Sequence, residues 1–239
     1  MDSPPEHPPL RSFGRIKSRA IKPRQAALME TLLPALAVDP AQPWAPFAGE
    51  QWLEIGFGGG EHLAAQAAKH PEVRFLGAEP FLNGVASALR HIEEAGVANV
   101  RLHAGDVREL FPQIPDAAFD RIFILFPDPW PKTRHRKRRL VRAETAGELA
   151  RLLKPGGALR FATDVADYAE TALLALRAEP GLRWTATAAD DWRTPPADHV
   201  TTRYQEKRLG DCEPVYFDFI RPRPTAASAS PPRGPWPRG

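Results

Sequence analysis

The sequence predicts an α/β domain built on an open, mostly parallel sheet with helices on both faces. Three observations carry that prediction. Apolar runs of strand length alternate with amphipathic helical stretches, the connections are short, and four of the strand runs carry an acid at or just past their ends, at Glu54, Glu79, Asp106 and Asp128. In an open α/β sheet, ligands sit outside the carboxyl ends of the strands. With 239 residues and 43% hydrophobic content, the chain can bury the core of one large domain.

Residues 1–10 are rich in proline and polar groups, and 221–239 hold Pro, Ala, Ser, Arg and Gly; both tails are expected to be disordered. Residues 11–50 read as a basic N-terminal arm and a helix. Arg11, Arg15, Lys17, Arg19, Lys22 and Arg24 form the arm, and 25–36 has helical spacing. Proline breaks the connection at 40–48. The main domain is expected over 51–220.

Within it, 52–55 is the first strand, followed by a Gly-rich turn and a helix over 61–69. A second strand covers 74–78, and a helix over 83–95 is closed by Gly96. The third strand is 100–103 and the fourth 121–126. A helix over 137–153 is stopped by Lys154-Pro155-Gly156-Gly157, before a fifth strand at 158–162 and a helix at 165–177. Residues 182–187 and 215–220 complete seven strands. No clear helix separates these last two, so they are expected to pair antiparallel.

The net charge of +3 is small, but 132–142 concentrates seven cations in eleven residues. That distribution points to a polyanion more than to a membrane. Cys212 is the only cysteine, which excludes an intrachain disulfide and any multi-cysteine metal site. A reducing, cytoplasmic setting fits. No apolar leader region is present and no run reaches the ~18 apolar residues of a membrane span, so neither a signal peptide nor a transmembrane helix is expected. His103, His135 and His199 are scattered, and no metal is assigned.

Gly56-Phe57-Gly58-Gly59-Gly60 joins a strand to a helix with G-x-G-x-G spacing. Glycines there permit a tight turn and close backbone approach to a ligand. A Gly-rich turn without a ligand is the plainer reading. Against it, Glu54 is an acid in an apolar strand, costly without a partner. Glu79 ends the second strand where a carboxylate can accept both ribose hydroxyl hydrogens, and Asp106 follows the third strand, placed for an adenine edge. A second phosphate loop is missing, and acids would repel a pyrophosphate. A nucleoside cofactor carrying positive charge fits better, which favours S-adenosylmethionine over NAD.

At the fourth strand end, Phe126-Pro127-Asp128-Pro129-Trp130-Pro131 leads into Lys132, Arg134, Arg136, Lys137, Arg138, Arg139 and Arg142. Asp128 and Trp130 are placed to face a reacting base, and the cations to hold a phosphate backbone. Two readings of Trp130 stand: stacking on a base, or packing against the loop prolines. The basic run likewise reads as a phosphate contact or as a solvated helix face.

The strings LEIGFGGG, GAEPFLNGV, FPDPWPKTRHRKRRL, ATD and TTRYQEKR occur in this order from Leu53 to Arg208. Together they resemble the bacterial tRNA (guanine-N7-)-methyltransferase family. The resemblance implies a Rossmann-like methyltransferase sheet of seven strands, mostly parallel with the last antiparallel. It implies methylation of the variable-loop guanine of tRNA, position 46 in tRNA numbering, with S-adenosyl-L-methionine as donor. It also implies a protein acting alone or as a homodimer, with no obligatory protein partner.

By position, Glu54, Glu79, Asp106 and Asp128, with Gly56 and Gly58 of the turn, match cofactor contacts. Asp128 also matches the catalytic residue. Lys132, Asp164 and Thr202-Arg203-Tyr204-Gln205 match substrate-binding positions. The family pattern T-[KR]-[FY]-E is broken here by Gln205 followed by Glu206. Either residue is a candidate for the missing carboxylate's role. Two other functions remain on the sequence: a methyltransferase acting on another nucleic-acid or protein amine, and an RNA-binding module with a vestigial cofactor fold.

Overall fold

The computed structural model describes residues 20–42, 44 and 47–224. The predicted disordered stretch 1–10, most of the basic arm and nearly all of the C-terminal tail lie outside the described residues. The strands are β1 (Gln51–Ile55), β2 (Arg74–Ala78), β3 (Val100–His103), β4 (Phe119–Leu125), β5 (Leu153–Thr163), β6 (Arg183–Trp184) and β7 (Val215–Ile220). They form one sheet in the order β3-β2-β1-β4-β5-β7-β6. β1 to β5 are parallel, and β7 runs antiparallel to both β5 and β6. The order reverses between β1 and β4. That switch opens a crevice at the carboxyl edge, where Glu54 and Asp128 sit on neighbouring strand ends.

Alternation along β1 explains the layers. Trp52 faces the core made with α3 (Glu61–Lys69) and α4 (Leu82–Ala95), which also holds Phe75, Leu89 and Phe123. Leu53 and Ile55 point the other way, into the core with α5 (Ala143–Leu152) and α6 (Ala166–Ala178), which holds Ile122, Phe161 and Tyr168. Both faces of the parallel strands are buried, so they read as nearly continuous apolar runs. The segment before β1 belongs to the same body. α1 (Pro23–Thr31) packs on α4, and Ala37 bridges to Leu102 of β3.

Several expected elements come out differently. The helix expected over 25–36 is broken into α1 and α2 (Leu33–Leu36), because Pro34 has no N–H to continue the ladder. The expected helix over 137–153 is confined to α5, and the basic residues before it form a short 3-10 helix, Thr133–Arg138, and an extended link. The tertiary cause is described below. β5 begins earlier than expected, at Leu153, and bends at Gly156, whose φ is +89°. The expected strand 182–187 shrinks to two residues on the sheet edge. Among the described residues no helix is long and apolar enough to cross a membrane.

The Gly-rich turn shows why only glycine serves at one point. Gly60 has φ +80°, and a Cβ there would collide with the Ala88 Cβ of α4. Close packing of α4 on the turn therefore requires it. We expect Gly60→Ala to destabilise the fold by about 2–4 kcal/mol, combining left-handed strain with overpacking. Urea denaturation checks this; a loss below about 0.5 kcal/mol would mean that α4 yields freely.

Candidate functional site

The carboxyl edge of the sheet encloses a cavity of about 690 Å³, lined by the Gly-rich turn, the ends of β1, β2 and β4, and residues from the basic run and from 202–207. Glu54, Gly56, Gly58, Glu79, Asp106, Asp128, Trp130, Thr202, Arg203 and Tyr204 all line it. Residues far apart in the sequence thus meet on one surface, as strand-end placement predicts.

Glu54 is 4% exposed, and the partner that its burial demands is His62, whose Nδ1 lies 2.7 Å from the carboxylate. His62 is equally buried on the first turn of α3 and stands edge-on to Phe123. Sequence reasoning missed it. The signal was available: a buried acid beside the one ionisable donor of the following helix's first turn.

Glu79 accepts the Gly58 N–H at 2.9 Å and the Phe81 N–H at 2.8 Å. Burial pushes its carboxyl above the ordinary value. The two N–H groups oppose that rise, while the charges of Asp128 and Glu54 add to it. Glu79 thereby also fixes the Gly-rich turn, which leaves open space where side chains at Gly56 and Gly58 would project.

Asp106 opposes burial with three bonds from Arg108, whose backbone N–H, Nε and Nη2 lie 3.0, 2.9 and 2.5 Å away. Burial alone would raise its carboxyl, but the Arg108 bonds prevail and hold it below the ordinary value. Arg108, two residues on and also at the cavity wall, is a second group the sequence reading passed over.

Asp128 differs from the other three. Among the described residues no donor reaches its carboxylate. Its outer side is open to solvent, yet the concave wall removes enough water to raise its carboxyl above the ordinary value. It sits between two strained positions, Phe126 at φ +51° and Trp130 at φ +44°. Non-glycine residues hold such angles only where the surroundings impose them. Trp130 is half-buried, with the Arg138 guanidinium 5.0 Å over its ring and His135 edge-on at 6.0 Å. Its ring is therefore held by the Arg138 cation and the His135 ring, contacts neither sequence reading included.

The substrate-side expectations divide. Thr202, Arg203 and Tyr204 reach the cavity, with the Tyr204 ring 5.9 Å from Phe126. Burial raises the Tyr204 phenol, and the charges of Asp164 and Asp128 add to the rise. Gln205 points away. It closes a capping box with Thr202 at the start of the short α7 (Arg203–Glu206), and its Nε2 donates to the Tyr216 hydroxyl at 3.1 Å. Glu206 is exposed and does not line the cavity. Asp164 is 5% exposed and accepts the Gly210 N–H at 3.0 Å, behind the 202–207 segment. Lys132 is exposed, outside the cavity lining.

The basic run departs most from expectation. Arg139 is 4% exposed and belongs to the interior. Arg136 pairs with Asp167 at 2.8 Å, and Arg142 with Glu144 at 3.4 Å. Lys132, Arg134 and Lys137 are exposed, and among the described residues none reaches a carboxylate. Desolvation lowers the His135 pKa, and the cations around it add to the fall. Among the described residues no cluster of His, Cys, Asp and Glu could hold a metal.

Comparison with known proteins shows the family. A family described as "Putative methyltransferase" matches residues 49–217. The chain is 60% identical to a tRNA (guanine-N(7)-)-methyltransferase of Caulobacter sp. (strain K31) over 219 residues, covering 90% of this chain and 96% of that one. The chain belongs to the tRNA (guanine-N(7)-)-methyltransferase family. Other members match at 52% identity in Hyphomonas neptunium, over 88% of this chain and 99% of that one, and at 45% in Rhodospirillum rubrum, over 93% and 92%. Among solved structures, a variant of the 16S rRNA (adenine(1408)-N(1))-methyltransferase from Catenulisporales acidiphilia, with cosubstrate S-adenosylmethionine, matches with TM-score 0.52 and 16% identity. The match spans 83% of this chain and 95% of that one. That likeness concerns the fold. In this methyltransferase, Asp128 and Trp130 of the FPDPWPK segment line the same cavity as Thr202, Arg203 and Tyr204 of the TTRY segment.

Proposed function

We propose that this chain methylates N7 of the variable-loop guanine of tRNA, position 46, using S-adenosyl-L-methionine. The observation that carries the reading is one cavity floored by strand-end acids and walled by Asp128, Trp130 and Thr202-Arg203-Tyr204. Its donor set fits the cofactor. Acids at Glu54, Glu79, Asp106 and Asp128 suit a ligand with a sulfonium and an ammonium group, and would repel a pyrophosphate. The turn at Gly56 and Gly58 leaves its backbone open to close approach. When bound, S-adenosylmethionine supplies a methyl group already activated by the sulfonium.

The chain's own residues then have defined tasks. Glu79 is suited to accept ribose hydroxyl hydrogens, and Asp106 to meet the adenine edge once Arg108 yields a bond. Guanine N7 carries a free lone pair and no proton at neutral pH, so Asp128 need not act as a base. Its ionised carboxylate orients the purine and offsets the positive charge that methylation places on it. Alignment of N7, the methyl group and sulfur supplies the rest. Thr202, Arg203 and Tyr204 border the base, and Lys132 meets the RNA outside. Asp164 and Gln205 serve from behind, by holding the segment that carries those three.

Incubation with methyl-labelled S-adenosylmethionine and unmodified tRNA, followed by mapping of the label, tests this. Label on N7 of the variable-loop guanine is expected. Label on an exocyclic amine or on protein would reject the reading.

A further inference from the structure

The turn that carries Asp128 does not hold itself in place. Pro127, Pro129 and Pro131 have no N–H to donate. Among the described residues, no backbone–backbone hydrogen bond involves 127–131. Left-handed angles at Phe126 and Trp130 add strain on either side of the acid. A turn of this kind stays put only if something outside it imposes its geometry.

The Arg139 guanidinium does so. Its Nε donates to the Pro129 carbonyl at 2.8 Å, the peptide next to Asp128. Its other nitrogens bind α6: Nη1 donates to Thr171 Oγ1 at 2.8 Å and to the Asp167 carbonyl at 3.3 Å, and Nη2 donates to the Asp167 carboxylate. The group lies 4.7 Å over the Tyr168 ring, and the Tyr168 hydroxyl accepts the Val141 N–H at 3.0 Å. Burial pushes that phenol up to about 12, so it stays a neutral hydroxyl. A planar fork reaching a carbonyl, a hydroxyl and a carboxylate at once is a geometry that lysine cannot reproduce.

We propose that Arg139 is a positioning residue for methyl transfer: it pins the Pro129 peptide to α6 and thereby sets where the Asp128 carboxylate stands in the cavity. The inference rests on the proposed role of Asp128. It removes Arg139 from the set of RNA-holding cations, and it makes α6 a support for the reacting site.

The test is a double-mutant cycle on kcat, with Arg139→Lys and Asp128→Ala measured singly and together. Arg139→Lys should lower kcat by about 100-fold, the scale of a misplacement near 1 Å. Equilibrium dissociation constants for S-adenosylmethionine and tRNA should stay within about threefold of the parent, because only alignment is lost. In the Asp128→Ala background, Arg139→Lys should cost nothing further. If the two losses multiply, or if tRNA affinity falls as far as kcat, Arg139 does not act through Asp128 and the proposal is overturned. If Asp128→Ala alone leaves kcat unchanged, the role of Asp128 itself has failed. Should Arg139→Lys not yield folded protein, Thr171→Val removes one anchor and keeps the charge pair. A several-fold loss in kcat that vanishes in the Asp128→Ala background supports the proposal, and an unchanged kcat overturns it.

Discussion

Asp128→Ala should lower kcat by about 10²–10³-fold, the range seen when a preorganised electrostatic group is removed from a reacting centre. Binding of S-adenosylmethionine and tRNA should largely survive, since Glu54, Glu79 and Asp106 remain on the floor and the basic turn is untouched. The reason lies in what methylation does to charge. Before the step the positive charge is on the donor; afterwards it is on the purine. A carboxylate between them keeps that charge compensated without moving. Rapid-quench single turnovers with enzyme in excess would separate this step from binding. Collapse of tRNA affinity in parallel with turnover would make Asp128 a docking residue instead.

The same role fixes a pH dependence. Partial desolvation raises the Asp128 carboxyl, and the nearby Glu79 is raised as well. Only the ionised form of Asp128 offsets positive charge, so turnover is complete above its pKa and lost as pH falls through it. The acid limb of kcat therefore lies higher than an ordinary aspartate would place it, and it should be absent in Asp128→Ala.

How much of this was legible in the sequence depended on the kind of interaction involved. Periodicity located β1 to β3 and α3 nearly residue for residue, because local pattern and tertiary burial agree there. Alternating strands and helices also set the side of the sheet on which Glu54, Glu79, Asp106 and Asp128 would gather. What the pattern could not reveal was which polar groups are spent on each other. Glu54 is committed to His62, Asp106 to Arg108, and Gln205 to Thr202 and Tyr216. The 137–142 segment misled for the same reason. Its residues favour a helix, but Arg139 is drawn onto α6 and the Val141 N–H onto Tyr168. Those tertiary bonds leave Arg142 extended, with φ −157° and ψ 174°, and delay α5 to Ala143. A charge run looks uniform in sequence; burial divides it.

That division yields the second large effect. The exposed members Lys132, Arg134 and Lys137 are available for phosphate, whereas Arg136 is paired with Asp167 and Arg139 is interior. Replacing Lys132, Arg134 and Lys137 together by glutamine should reduce the slope of log affinity against log salt by about 2–3, at ~0.7–0.9 for each phosphate that is no longer neutralised. Between about 50 and 200 mM salt, the parent would then lose roughly thirty-fold more of its tRNA affinity than the variant does. Arg136→Gln should change the slope far less, since its charge is already balanced in the free protein. The kcat at saturating tRNA should stay near the parent value for the triple variant, because none of the three side chains lines the cavity. Filter-binding titrations across that salt range measure the slope directly. An unchanged slope would return these three residues to the role of solvating a surface turn, and would leave Arg203 and Lys207, which line the cavity, as the cations that meet the RNA.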